Sequence, residues 1–257
     1  MYKNHSTQNI KPLVLKSTDS SSKSIIISKN GAGYSSRALV VHGTNLSFSL
    51  GKWKMTRLLG SMYSLQPRHL SILVGILLSD GYFNFPKSAK NVSVGLEQSF
   101  NKFQYLFNVF WSLGHYCASL PVLRIRTIKG SLCYSIYFRT RYLPCFTNLY
   151  SKFIVNGVKV VPANIIEYLD PVALAHWISG DGEYKHSGGL VLCTNSFTIQ
   201  EVVCLINALI VRYNLDCTLR EKKPGQYLIH IKKNSMDNLR NIVKDHMVPC
   251  MLYKIHL

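Results

Sequence analysis

Two aspartates carry the most distinctive chemistry this sequence can offer. Asp80 and Asp181 each end an apolar run, each precede a glycine, and stand 181 − 80 = 101 positions apart. The runs are Leu73-Val74-Gly75-Ile76-Leu77-Leu78-Ser79-Asp80-Gly81 and Leu174-Ala175-His176-Trp177-Ile178-Ser179-Gly180-Asp181-Gly182. A carboxylate at a helix C-terminus opposes the macrodipole and calls for a compensating cation, most simply a metal ion. Paired carboxylates that hold divalent ions can activate a water and stabilise a leaving alkoxide, which is what phosphodiester hydrolysis requires. No cysteine, serine or histidine arrangement offers a competing nucleophile.

Each run suits a buried helix, with no proline and apolar side chains around almost the whole circumference. The closing glycine suits a left-handed C-terminal cap. Two such helices packed side by side bring their aspartates together at one end. Gly75 and Ser79, one turn apart, allow close backbone approach. One Asp-Gly ending is an ordinary helix-to-turn junction; two at domain spacing, each followed by the same order of elements, are a repeat.

The first unit reads as a helix from Pro67 to Ser79, strands at Tyr82–Phe85 and Asn91–Gln98, and a helix at Lys102–Leu113. A hairpin follows, Val122–Ile128 and Leu132–Thr140, then a helix at Pro144–Phe153. The second reads as a helix at Val172–Gly180, strands at Tyr184–His186 and Leu190–Thr194, and a helix at Ser196–Tyr213. Its hairpin is Cys217–Glu221 with Tyr227–Lys232, and a helix at Ser235–His246 precedes a tail. Each unit is therefore αββαββα, and the fold class is α+β. The predicted domains are an arm at 1–62, a first repeat at 63–160 and a second at 161–257.

Alternation places Arg124 and Arg126 on one strand face against Leu123 and Ile125, and Tyr137 and Arg139 against Ile136 and Phe138. The second unit sets Thr218, Arg220 and Lys222 against Cys217 and Leu219, and His230 and Lys232 against Ile229 and Ile231. Each sheet is thus predicted to lay an apolar face on its helices and turn a basic face outward. Lys185, where the first strand of the second unit runs into the short Lys185–Gly189 loop, joins that basic set.

Composition agrees. The chain has 257 residues, Lys+Arg 30 against Asp+Glu 12 and a formal charge of +18, which points to a polyanion. No apolar run reaches the roughly 18 residues a membrane span requires, so nucleic acid is the better partner. The seven cysteines lack CxxC or zinc spacing and read as reduced thiols. The arm has no signal-peptide core. Ile25–Ile27 and Leu39–Val41 within it are candidate short strands.

At these residues the chain resembles the LAGLIDADG homing endonucleases. The first motif matches at Leu73, Gly75, Asp80 and Gly81; the second at Leu174, Ala175, Ile178, Asp181 and Gly182. Phe153-Ile154-Val155-Asn156 with Pro162, Ser196-Phe197-Thr198 with Glu201-Val202, and Met251-Leu252-Tyr253-Lys254 extend the likeness to single-chain, two-repeat members over roughly residues 65–257. His176 departs from the pattern, standing where a small residue is usual, with Gly75 opposite to make room.

The resemblance implies a monomer whose motif helices form the interface and whose sheets form a saddle over double-stranded DNA. It implies magnesium-dependent double-strand cleavage of a long target, with Mn2+ or Ca2+ able to occupy the same sites. It also implies an intron-encoded protein acting in mitochondria, made there rather than imported. Magnesium needs few protein ligands, so Asp80 and Asp181 with DNA phosphates suffice, aided by the backbone carbonyls of Ser79 and Gly180. By resemblance Lys159 and Lys254 lie beside the two scissile phosphates, and Glu97, Gln98 and Asn195 can position the attacking water. The alternatives are an intron maturase, an RNA-binding splicing cofactor on the same fold, and a catalytically silent DNA-binding protein.

Overall fold

The computed structural model describes residues 55–257 apart from 187, together with the backbone of two short strands nearer the N-terminus. These are β1 (Ile26–Ile27) and β2 (Gly33–Tyr34), paired antiparallel. The strand expected at Leu39–Val41 lies outside the described residues.

After α1 (Arg57–Ser61) the first unit runs α2 (Pro67–Leu78), β3 (Gly81–Asn84), β4 (Ser93–Ser99), α3 (Phe103–Leu113), β5 (Val122–Ile128), β6 (Ser131–Arg139) and α4 (Pro144–Phe153). A small hairpin, β7 (Ile154–Val155) and β8 (Val158–Lys159), and a short helix α5 (Ile165–Tyr168) lead onward. The second unit runs α6 (Pro171–Asp181), β9 (Gly182–Tyr184), β10 (Leu190–Cys193), α7 (Ile199–Tyr213), β11 (Cys217–Lys223), β12 (Gln226–Ile231) and α8 (Met236–Val243), followed by a 3-10 helix at Pro249–Ile255. The αββαββα order recurs. The two antiparallel sheets share one topology, β3-β4-β6-β5 and β9-β10-β12-β11.

The motif helices start where the chemistry favours it. Both have proline at the first position, where a missing N–H costs nothing. The Asp170 side chain caps α6 by accepting from Ala173 N at 2.8 Å. It also accepts from Ser71 Oγ of α2, tying the two helices together at this end. From Ile72 to Leu78 and from Ala173 to Ser179 every residue is buried. Their apolar side chains belong to one hydrophobic cluster that spans both units. That all-round burial matches their all-round apolarity.

Glycine sets how closely α2 and α6 approach. A Cβ added at Gly75 would sit 2.4 Å from the Ala173 carbonyl oxygen and 2.6 Å from His176 Cβ. One added at Gly180 would sit 2.3 Å from Ser79 Oγ and 2.5 Å from Ser79 Cβ. The 101-residue offset relates Gly75 to His176 and Ser79 to Gly180. At each level of the crossing a glycine therefore faces the side chain that occupies its own position in the other repeat. His176 is accommodated by Gly75 and by Tyr105, whose hydroxyl lies 3.1 Å from His176 Nδ1. Burial pushes the His176 imidazole down to about 4, so it is neutral at pH 7.

Several expectations need correction. Gly81 and Gly182 are not left-handed caps: Gly182 has φ −72, and Gly81 is not among the positive-φ glycines. They are glycines because an added Cβ would lie 2.7 Å from the Ile76 carbonyl oxygen or 2.6 Å from that of Ile178. The strands begin at these glycines, so Tyr184–His186 becomes Gly182–Tyr184. Helix α7 starts at Ile199 rather than Ser196, because Thr198 caps it. Met55 and Leu59, in the stretch expected to belong to the arm, pack on the core.

The β5–β6 hairpin also departs from the expected burial. Leu123, Ile125 and Leu132 are exposed. Pairing of β4 with β6 stops at Ser99↔Ser135, whereas β5 and β6 stay paired as far as Ile128↔Ser131. Beyond Ser135 the ribbon is two-stranded, and its apolar face has outrun the helices at Ile125 and Leu132; Leu123, opposite Ile136, is exposed because β5 is the edge strand.

Candidate active site and nucleic-acid face

The C-terminal ends of α2 and α6 bring the two aspartates together. An added Cβ on Gly180 would meet Asp80 Oδ2 at 3.4 Å, which places the Asp80 carboxylate against the backbone that leads into Asp181. Around each aspartate the flanking carbonyls converge on a lysine. Lys159 Nζ donates to Ser79 O and Gly81 O, both at 3.1 Å. Lys254 Nζ donates to Gly180 O at 3.2 Å and Gly182 O at 2.8 Å. The two arrangements are equivalent atom for atom, although Lys159 ends a β-hairpin and Lys254 sits on a 3-10 helix.

The electrostatics follow from this packing. Burial, with the Asp80 charge added, pushes the Asp181 carboxyl up to about 7, against the pull of Lys159, Lys254 and Lys102. Burial lowers both lysines from their ordinary range; the Lys102 charge lowers Lys254 further, and the two aspartates oppose the shift. Lys102, half-buried just before α3, thus acts on the Asp181 side of the site. The sequence reading missed it. Its signal was a cation at a helix N-terminus, where the macrodipole disfavours one.

The water-positioning candidates separate. Gln98 Nε2 donates to Asp80 Oδ2 at 2.7 Å and is buried. Glu97 points to the opposite face of β4, where it accepts from Arg124 at 2.7 Å and from Ser135 at 2.7 Å, and pairs with Arg126. Adjacent strand residues cannot serve the same point, so Glu97 does not join the aspartates. Asn195 lies exposed in the turn after β10, with no hydrogen bond to Asp181 among the described residues. Strand register explains this. Gly81 pairs with Leu96 and Gly182 with Leu192, which makes Thr194 the counterpart of Gln98. Thr194 is spent on Tyr227 O at 2.7 Å. The Asp80 side therefore has an amide partner that the Asp181 side lacks among the described residues.

The basic face is where alternation put it. The Arg124 guanidinium lies 4.1 Å from the Tyr137 ring centroid, and Arg139 lies 5.9 Å from it on the same face. In the second sheet Thr218 pairs with His230 and Arg220 with Leu228. Arg220 and Lys222 are exposed, whereas His230 is buried. Lys185 pairs with Glu183, and Lys232 with Asp216 at 2.9 Å. These two are partly neutralised; Arg220 and Lys222 have no ion pair among the described residues.

The donors suit a hard divalent cation. Two carboxylates and two pairs of carbonyls lie at the negative ends of two helices, and burial beside the Asp80 charge raises the Asp181 carboxyl despite the nearby lysines. Among the described residues no group of three or more His, Cys, Asp or Glu side chains could hold a metal alone. Phosphate and water would have to complete the shell, as magnesium prefers. No helix of the described residues is long and apolar enough to cross a membrane.

Known proteins share this architecture. The solved structure of the homing endonuclease I-WcaI bound to its DNA recognition sequence superposes with a TM-score of 0.74 over 82% of this chain and 98% of that one, at 24% identity, which shows a common fold. The cytochrome b mRNA maturase bI2 of Saccharomyces cerevisiae is 32% identical over 198 residues, 72% of this chain but 47% of the yeast protein, so the chain spans about half of that relative. The intron-encoded endonuclease ai4 of Dictyostelium discoideum is 39% identical over 120 residues, 46% of this chain and 75% of its own. The family model for LAGLIDADG DNA endonucleases matches residues 70–239, from within the first motif helix to the last helix of the second repeat, and the chain belongs to that family.

Proposed function

We propose that the chain is a site-specific DNA endonuclease that makes metal-dependent double-strand breaks in a long duplex target. On this reading it is intron-encoded and acts in the mitochondrion that makes it. The observation that carries the proposal is the doubled unit of aspartate, flanking carbonyls and lysine. Two equivalent hydrolytic centres at one helix crossing suit two phosphodiesters on opposite strands.

Asp80 and Asp181 would hold Mg2+, or Mn2+ or Ca2+ in its place, with Ser79 O and Gly180 O as further ligands. The bound ion would supply an activated water and neutralise charge on the leaving oxygen. Lys159 and Lys254, already desolvated, are suited to stabilise charge on the scissile phosphates. Gln98 fixes the orientation of the Asp80 carboxylate. The basic face would track the DNA backbone through Arg220 and Lys222, while Arg124, held by Glu97 and stacked on Tyr137, has the rigidity that base readout needs.

A second reading has its own support. Two of the similar proteins are named as cytochrome b mRNA maturases, so an RNA-binding splicing cofactor is the alternative to test. Purified protein is incubated with Mg2+ and a plasmid bearing the intron-free junction, and in parallel with the intron RNA. Linear plasmid that disappears with EDTA, or with Asp80→Asn, is the expected result. Tight binding of the junction with no cutting under any divalent ion would leave a silent DNA-binding protein, and RNA splicing without cutting would favour the maturase.

A further inference from the structure

We propose that Glu201 is a positioning residue for Lys159, fixing from the second unit the lysine that serves the first. The inference rests on the reading of Lys159 as an active-site group. Glu201 begins with an ordinary task. In the first turn of α7 it completes a capping box: Oε2 accepts from Thr198 N at 2.7 Å and from Thr198 Oγ1 at 2.8 Å. That task uses one oxygen. The other, Oε1, accepts from Val161 N at 2.8 Å.

Val161 lies two residues beyond Lys159, in the segment that links the units. Val160 N donates to Phe153 O at 2.8 Å, which ties the near side of this segment to the first unit. The Glu201 carboxylate ties its far side to the second. Lys159, directly before these two anchors and paired with Ile154 in the hairpin, reaches across to Ser79 O and Gly81 O. A charge-assisted hydrogen bond to a carboxylate is roughly twice as strong as a neutral one, so this anchor is the stiffer of the two.

Among the described residues no carboxylate of the first unit braces the segment that carries Lys254. Its 3-10 helix meets the first unit through Cys250 at the Tyr105 backbone, with no carboxylate in that contact, and is held in the second unit by Arg240 Nε donating to Ile255 O at 2.9 Å and by His256 stacked on Tyr184 with ring centroids 4.6 Å apart. Loss of the Glu201 carboxylate should therefore loosen one lysine and leave the other in place.

Two readouts test this. In the first, a duplex labelled on each strand is cut by the wild type and by the Glu201→Ala, Thr198→Val and Lys159→Met variants. Glu201→Ala should slow, by about tenfold, the same strand that Lys159→Met slows. Glu201→Ala with Lys159→Met should be no slower than Lys159→Met alone. Thr198→Val, which removes the cap hydroxyl but keeps the acceptor for Val161, should lower Tm without strand bias. The second readout needs no cleavage. In lysine-labelled protein the Cε–Hε resonance of Lys159, assigned by its loss in Lys159→Met, should move toward the solvent-exposed position in Glu201→Ala and stay put in Thr198→Val. If Glu201→Ala fails to fold, Glu201→Gln replaces it, since an amide offers one acceptor oxygen to two sets of donors. A protein that cuts no DNA would defeat the endonuclease reading while the resonance still decides the brace. An unmoved Lys159 resonance, or equal slowing of both strands, would overturn the proposal.

Discussion

Replacing Gly180 with alanine should push apart the ends of the two motif helices. The new Cβ would lie 2.5 Å from Ser79 Cβ, an atom fixed to the backbone of α2. No rotamer relieves that overlap, so the helices must separate. Overpacking of this kind costs about 1–3 kcal/mol, offset by up to about 1 kcal/mol from the better helix propensity of alanine. At roughly 2–4 °C per kcal/mol for a domain of this size, Tm should fall by several degrees. Asp80 Oδ2 lies 3.4 Å from the same point, so the carboxylates move with the helices. A misplacement of about 1 Å can cost about a hundredfold in rate. The companion change is Ser79→Gly, which creates in α2 the space that Gly180 gave up in α6. Calorimetry and plasmid cleavage on both single variants and the double variant form a cycle. The double variant should recover most of the stability and activity lost in Gly180→Ala. Simple additivity, or a Gly180→Ala protein with wild-type Tm and rate, would refute the close-packing argument.

Asp181→Asn should raise Tm in metal-free buffer at pH 8. The Asp181 carboxyl, moved from 3.8 to about 7, makes the folded state hold the extra proton between those values, so stability falls as pH rises through that window. The shift bounds the gain at about 4 kcal/mol, and the gain should fade toward pH 5; a pH-independent effect would contradict the assignment. Tyr105→Phe should cost about 1–3 kcal/mol, because the buried His176 Nδ1 loses its partner; unchanged unfolding in denaturant would show that the bond is idle. Alanine at Arg220 or Lys222 should weaken binding to all sequences and lower the salt slope by about one for each phosphate no longer neutralised. An unchanged slope in filter binding would place the DNA elsewhere.

The repeat was legible because its signals are local. Apolar helices ending in Asp-Gly, strands alternating arginine with isoleucine, and turns at glycine each declare themselves within a few residues, and the αββαββα order followed from them. The site was legible only in part. Asp80 and Asp181 could be found by type and spacing. That Lys159 and Lys254 would clasp the carbonyls on either side of each aspartate could not, since that is a tertiary contact across 78 and 72 positions. Glu97 and Gln98 looked interchangeable until strand register sent them to opposite faces, and register also replaced Asn195 with Thr194. The exposed Ile125 and Leu132 show the limit of alternation: it assigns a face, but not whether a helix is long enough to cover it.

The central claim is that each lysine, held by the carbonyls that flank one aspartate, serves one strand of a DNA duplex. Its most direct test is strand-resolved cleavage of an end-labelled target by wild type, Lys159→Met and Lys254→Met in Mg2+. The expected result is reciprocal: each variant slows a different strand, and each accumulates nicked circles on supercoiled plasmid before linear product appears. Wild-type cutting of both strands by both variants would contradict the claim.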